Sequence, residues 1–175
     1  MEKLTIPGLI ISCVLLVAVG GCNTSMTPSD QSPAPAGHVD HVQLFVLPTA
    51  INMDDVPGPD GISIEIMFFQ LSQGADGKVV NKTVPISGCV EVVMFDGQVR
   101  AGDIATASPL KVWRFAPGQI GPYLNRSALG YYYAMALPWG KNEPKATSVT
   151  VIVRYQPPNE QPMYSESLAV AVGPS

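Results

Sequence analysis

The sequence predicts an all-β fold: a two-layer antiparallel β-sandwich of about seven to eight strands, after a signal peptide and a disordered linker. Three observations predict it. Beyond residue 38, apolar residues recur with a period of two rather than 3.6. The apolar runs are dominated by valine, isoleucine and aromatics, which suit a pleated, half-buried surface. Turn-forming pairs punctuate the runs.

The first run alternates Val42, Leu44 and Val46 with Gln43, Phe45 and Leu47. In the second, Ile62, Ile64, Ile66 and Phe68 share one face, opposite Ser63, Glu65, Met67 and Phe69. Further runs follow at 79–84, 89–95, 110–115, 130–137, 147–155 and 164–172. Between them, Asp60-Gly61, Asp76-Gly77, Asp96-Gly97, Pro117-Gly118 and Gln156-Pro157-Pro158-Asn159 supply turn chemistry. Residues 119–128 have room for a helical turn, and Gly121-Pro122 opposes a longer helix. No internal repeat is evident, so residues 39–175 read as one domain. The layout resembles immunoglobulin-like or transthyretin-like modules of secreted bacterial proteins, without the paired cysteines of antibody-type domains.

The N-terminus has a different grammar. Lys3 is followed by an almost unbroken apolar run over 4–19, then Gly20-Gly21-Cys22, which is the layout of a secretory signal. The run falls slightly short of the roughly eighteen apolar residues of a membrane span, and Pro7-Gly8 interrupts it. An ordinary secretory peptide fits the length equally well. Val19-Gly20-Gly21 directly before Cys22, however, resembles the lipobox of bacterial lipoproteins.

That resemblance implies cleavage between Gly21 and Cys22 and acylation of the Cys22 sulfur and new amino group with palmitate-type chains. One acyl chain holds a protein only reversibly, at about 0.8 kcal/mol per buried methylene. The two or three chains of the family would make attachment effectively permanent. Asn23 stands where Asp would favour inner-membrane retention, so the same resemblance favours the outer membrane of the cell envelope over the inner. Residues 1–21 are then the signal peptide, and 22–38 the lipidated cysteine with its Ser/Pro linker. Stretched at about 3.3–3.6 Å per residue, the linker spans roughly 50 Å.

Composition narrows the function classes. The net charge is −4, and it stays there after the signal leaves, because Glu2 and Lys3 depart together. The chain has no basic cluster to meet phosphates, which argues against a nucleic-acid partner. Of the cysteines, Cys13 lies in the signal and Cys22 is taken by lipid, leaving Cys89 without a disulfide partner in the mature chain. Within its apolar run Cys89 reads as a small buried hydrophobe.

Catalytic vocabulary is sparse. A nucleophile–base pair needs a histidine held within hydrogen-bond reach, and His38 and His41 both fall at the end of the linker. His38-Val39-Asp40-His41 offers metal ligands of the wrong setting for zinc, which prefers several Cys or His on ordered elements. Asp54, Asp55 and Asp60 form the better metal candidate: three carboxylates in a Gly/Pro loop could converge on calcium. The loop lacks EF-hand spacing, and Asp-Gly turns explain it equally. Glu65, Glu91 and Glu166 lie on strand runs, where alternation turns them to solvent, and a glycosidase needs two acids across a cleft. No glycine-rich phosphate loop is present.

Among aromatics, Trp113 and Phe115 share one strand face, and Tyr131 and Tyr133 share another with Met135 and Leu137. Trp139, beside a loop, is the candidate for ligand or partner contact, with core packing as its alternative. The expectation is a lipid-anchored envelope protein presenting a non-catalytic sandwich as a binding or structural module, without a cofactor. Its expected partners are the membrane, through the anchor, and an envelope protein or glycan, met at a loop rim or open strand edge. The alternatives are a small-ligand, metal- or glycan-binding lipoprotein and an enzyme acting on envelope polysaccharide.

Overall fold

Alternating burial organises the described residues into ten strands. A computed structural model describes residues 36–173, so the expected signal peptide, Cys22 and the expected linker up to residue 35 lie outside the described residues. In chain order the strands are β1 (His41–Val46), β2 (Gly61–Gln73), β3 (Val79–Thr83), β4 (Cys89–Asp96) and β5 (Lys111–Phe115). They continue as β6 (Leu124–Ser127), β7 (Gly130–Pro138), β8 (Ser148–Gln156), β9 (Met163–Tyr164) and β10 (Leu168–Ala171). Short 3-10 turns occupy Ala101–Asp103 and Gly121–Tyr123.

The strands form two antiparallel sheets. One has the order β1-β2-β7-β6, with β3 also paired to β2; the other has the order β10-β8-β4-β5, with β9 also paired to β8. The all-β sandwich is therefore present, with more strands than the seven to eight expected. Two local causes account for the excess. The run at 164–172 is split because Ser165 turns its hydroxyl onto the main chain, accepting from the Val153 N–H (2.9 Å) and donating to the Glu166 carbonyl (2.8 Å). Strand β6 has no apolar alternation; it is held through its hairpin with β7, in register Arg126↔Tyr131.

The core lies between the sheets. Val42 and Leu44 of β1, the Ile62/Ile64/Ile66/Phe68 face of β2 and Tyr133, Met135 and Leu137 of β7 form one wall. Val90, Val92 and Met94 of β4, with Val149, Val151, Val153 and Tyr155 of β8, form the other. Fully burying each such aliphatic side chain stabilises the fold by about 1.5–3 kcal/mol. Phe68 ties the walls together, meeting Tyr133 edge-on at 5.7 Å and Tyr155 at 4.9 Å. The Tyr133 hydroxyl accepts from the Ile86 N–H (3.1 Å), so its polar end is matched. Burial pushes the pKa of both tyrosines up, and neighbouring backbone N–H groups only partly oppose it.

Both long sides of the sandwich are closed. After β1, Thr49 bridges in parallel to Ala171, with the Ala50 N–H donating to the Ala171 carbonyl (2.8 Å). On the other side Trp113 of β5 reaches across the sheets and its Nε1–H donates to the Pro138 carbonyl of β7 (3.0 Å). At the β6–β7 turn Gly130 has φ +110° and lies against Thr83, so an added Cβ would be both strained and in collision.

Candidate functional site

Strands β4 and β8 carry Val93, Phe95 and Ile152 on their outer face among polar residues, and that outer face is where a site forms. Phe95 and Ile152 are buried there, yet neither belongs to the core between the sheets. They are covered by the segment 97–110, which is pinned to the sheet at several points. The Gly97 N–H donates to the Ser148 carbonyl (2.9 Å), the Val99 N–H to Thr150 Oγ1 (2.9 Å) and the Leu110 N–H to the Met94 carbonyl (2.8 Å). Thr150 Oγ1 donates in turn to the Gly97 carbonyl (2.8 Å). The segment covers only part of the face. What it leaves is a groove of about 660 Å³ floored by Val93, Val112 and Ile152, walled by Ile104 and Pro109 and by residues 164–167.

A cross-strand ion cluster closes one part of this groove. Glu91 stands directly opposite Arg114 on β5 and Arg154 on β8 in the sheet register. Arg114 Nε donates to Glu91 Oε1 (2.7 Å), and Arg154 Nη1 to Glu91 Oε2 (3.2 Å). A guanidinium carries five N–H donors in a planar fork, and Glu91 takes one from each arginine. Each arginine keeps further N–H donors for an acceptor, while Glu166 also lines the groove, so its lining carries two cations and two carboxylates. The groove thus combines an apolar floor with a guanidinium-lined end, which is the chemistry for holding an apolar group that carries a carboxylate.

The sequence-predicted candidates fall elsewhere. Trp139 is 2% exposed and packs in the core, the alternative the sequence gave it, and it also lines the second hollow described below. Its main-chain N–H donates to the Asp60 carbonyl (3.0 Å), which ties the acidic loop to the end of β7. Asp54, Asp55 and Asp60 do not converge as a metal set. Among the described residues no group of three or more His, Cys, Asp or Glu is placed to hold a metal ion. The physical reason is that the loop uses its own carboxylates: Asp54 Oδ1 accepts from the Val56 N–H (2.8 Å) and Asp60 Oδ1 from the Met53 N–H (2.8 Å). Asp54, Asp60 and Lys145 instead line a second, more polar hollow of about 810 Å³.

Other expectations also shift. Cys89 opens β4 and is exposed rather than buried, since it precedes the first core position, Val90. His41 lies in β1, stacked on Phe69 at 4.6 Å, and not in a loose linker. His38 sits 3.5 Å from both the Asp40 and Glu160 carboxylates. Glu65 is exposed on β2, whereas Glu91 and Glu166 line the groove, the latter from the connection between β9 and β10. The arginines of the cluster were missed because alternation assigns a face but not a partner strand. Phe95 and Ile152 did carry a signal: both are large apolar residues at positions whose parity points to solvent.

Comparison with known proteins adds no relative: no protein family, no curated protein and no solved structure matches this chain.

Proposed function

We propose that this chain is a lipid-anchored cell-envelope protein that presents a non-catalytic β-sandwich as a binding module, with the outer-face groove as its binding surface. Cys22, after cleavage behind Gly21, is the anchor; the Ser/Pro linker is the spacer; Asn23 favours the outer membrane. The ligand class follows from the groove lining: a largely apolar molecule or partner segment bearing a carboxylate. The single observation that carries the reading is the juxtaposition of the apolar floor with the Arg114–Glu91–Arg154 cluster. Both Glu91 oxygens already accept from guanidiniums, which supports a binding role for the cluster.

Decanoate is a suitable probe, with decanol as the neutral control. In a titration followed by amide NMR, decanoate is expected to shift Val93, Val112 and Ile152, decanol much less, and Arg154→Glu to abolish the decanoate response. Shifts scattered over the inter-sheet core, or a response indifferent to Arg154→Glu, would remove the groove as the binding surface.

A further inference from the structure

The segment that partly covers the outer face is tied firmly at its ends and loosely between them. It leaves β4 at Gly97, whose N–H donates to the Ser148 carbonyl (2.9 Å), and returns at Leu110, whose N–H donates to the Met94 carbonyl (2.8 Å). Among the described residues, one hydrogen bond joins residues 98–109 to the sheets, from the Val99 N–H to Thr150 Oγ1 (2.9 Å). The same hydroxyl donates to the Gly97 carbonyl (2.8 Å), so Thr150 holds the stretch beside its first anchor.

Within itself the stretch is well bonded. The Asp103 carbonyl accepts from the Thr106 N–H (3.0 Å) and the Ala107 N–H (2.9 Å), and the Asp103 N–H donates to the Arg100 carbonyl (2.9 Å). Residues 100–107 thus form a small unit able to move without losing its own bonds. Little apolar burial holds it down: Val99 and Ile104 are its larger apolar side chains, and both are only half-buried. Beneath it, Phe95 and Ile152 are each 3% exposed, although neither belongs to the core between the sheets. Local opening comes most readily where buried apolar contacts and ties to the body are few. Gly97, at φ +79°, puts a residue free of side-chain restriction at one anchor.

We propose that residues 98–109 are a lid on the groove, anchored at Gly97 and Leu110 and latched by the Thr150 hydroxyl. Release of the Val99 N–H from Thr150 lets the 100–107 unit swing outward, which bares Phe95 and Ile152 and enlarges the apolar floor. In the closed position Ala101, Ile104, Ala105, Ala107 and Pro109 wall the groove. The inference rests on the groove as the binding surface for its purpose, and the motion itself is read without a ligand.

Thiol labelling reads that motion. Every core residue lies between Val39 and Val172, so the chain from residue 22 onward carries the whole core. With Cys22→Ser and Cys89→Ser that chain offers no thiol of its own. Ile152→Cys puts a thiol beneath the lid, Val151→Cys puts one on the inner face of the same strand, and an aromatic disulfide reagent reports each. Labelling at Ile152→Cys is expected to be faster than at Val151→Cys by about tenfold or more, because it needs only local opening. Adding Thr150→Val, which leaves the Val99 N–H without its acceptor, should speed labelling at Ile152→Cys by about fivefold or more. Ile104→Ala should act in the same direction, Thr150→Ser should keep the parent rate, and Val151→Cys should respond little to any of them.

Equal rates at the two positions, equal acceleration at both, or a rate at Ile152→Cys indifferent to Thr150→Val and Ile104→Ala would overturn the lid. Should a cysteine variant fail to fold, amide exchange in the parent chain decides. There the Val99 N–H is expected to exchange about tenfold or more faster than the Val151 N–H, with a shallower urea dependence; equal protection with equal urea dependence would overturn the proposal. Saturating decanoate separates the lid from the groove. Slower labelling at Ile152→Cys supports both, and rapid labelling unchanged by decanoate keeps the lid and removes the groove. Decanoate shifts in the NMR titration, with Ile152→Cys labelling no faster than Val151→Cys, keep the groove and remove the lid.

Discussion

The inner and outer faces of β4 and β8 are built from the same strands yet do different work. On the inner face Val90, Val92 and Met94, with Val149, Val151 and Val153, meet the opposite sheet and are sealed from water. On the outer face Val93, Phe95 and Ile152 meet no second sheet; the segment 97–110 and residues 164–167 flank them and leave a groove. The inner face makes the fold; the outer face, with its ion cluster, offers a surface. The contrast teaches that apolar content on both faces of a strand marks a covered face but not what covers it.

Truncation gives the largest test of this contrast. Phe68→Ala, which opens a cavity between Tyr133 and Tyr155, is expected to cost about 3–5 kcal/mol in a denaturant melt. Val112→Ala on the groove floor is half-exposed and should cost under about 1 kcal/mol. Similar losses at both sites would break the distinction between a structural interior and a binding exterior.

Alkaline pH sharpens it next. Burial raises the Tyr133 and Tyr155 pKa values in the folded protein above the unfolded value, so the folded state holds these protons longer. Stability is therefore fully present below about pH 10, the ordinary tyrosine value, and is lost as pH rises through the folded values. Tyr155→Phe should flatten that alkaline decline in a series of thermal melts; an unaltered decline would place its cause outside the core.

The outer face should respond weakly in stability. Arg114 and Arg154 are well exposed, so Glu91→Gln is expected to change stability by about 1 kcal/mol or less. The same variant should strengthen decanoate binding by freeing the guanidiniums. A large loss of stability would make the cluster structural instead. The smallest effect concerns the acidic loop: since Asp54 and Asp60 each accept a loop N–H, millimolar calcium against chelator should leave the melting temperature unchanged. A clear rise would restore the loop as a cation site.

Much of the fold was legible because period two assigns faces directly. The Ile62-to-Phe68 alternation and the turn glycines located the core strands and most boundaries. What escaped depended on partners distant in sequence. β6 has no pattern of its own and exists through pairing with β7. Trp139, beside Pro138 and Gly140, left contact and core packing both open, and its burial depends on the fold around the acidic loop, which alternation does not give. The site was less legible than the fold: the Glu91 cluster joins residues from three strands whose adjacency is set by sheet order, which alternation leaves open.

The most direct test of the groove as the working surface is photo-crosslinking in cells, with the crosslinking side chain at Val112 in the full-length protein. Cys22→Ser and Arg154→Glu versions serve as controls, with Ala169 on β10 as a reference position. The account predicts one defined envelope partner captured from Val112, absent from Ala169, and lost in both control variants. Capture that is equal from the two positions, or that survives Arg154→Glu, would contradict it.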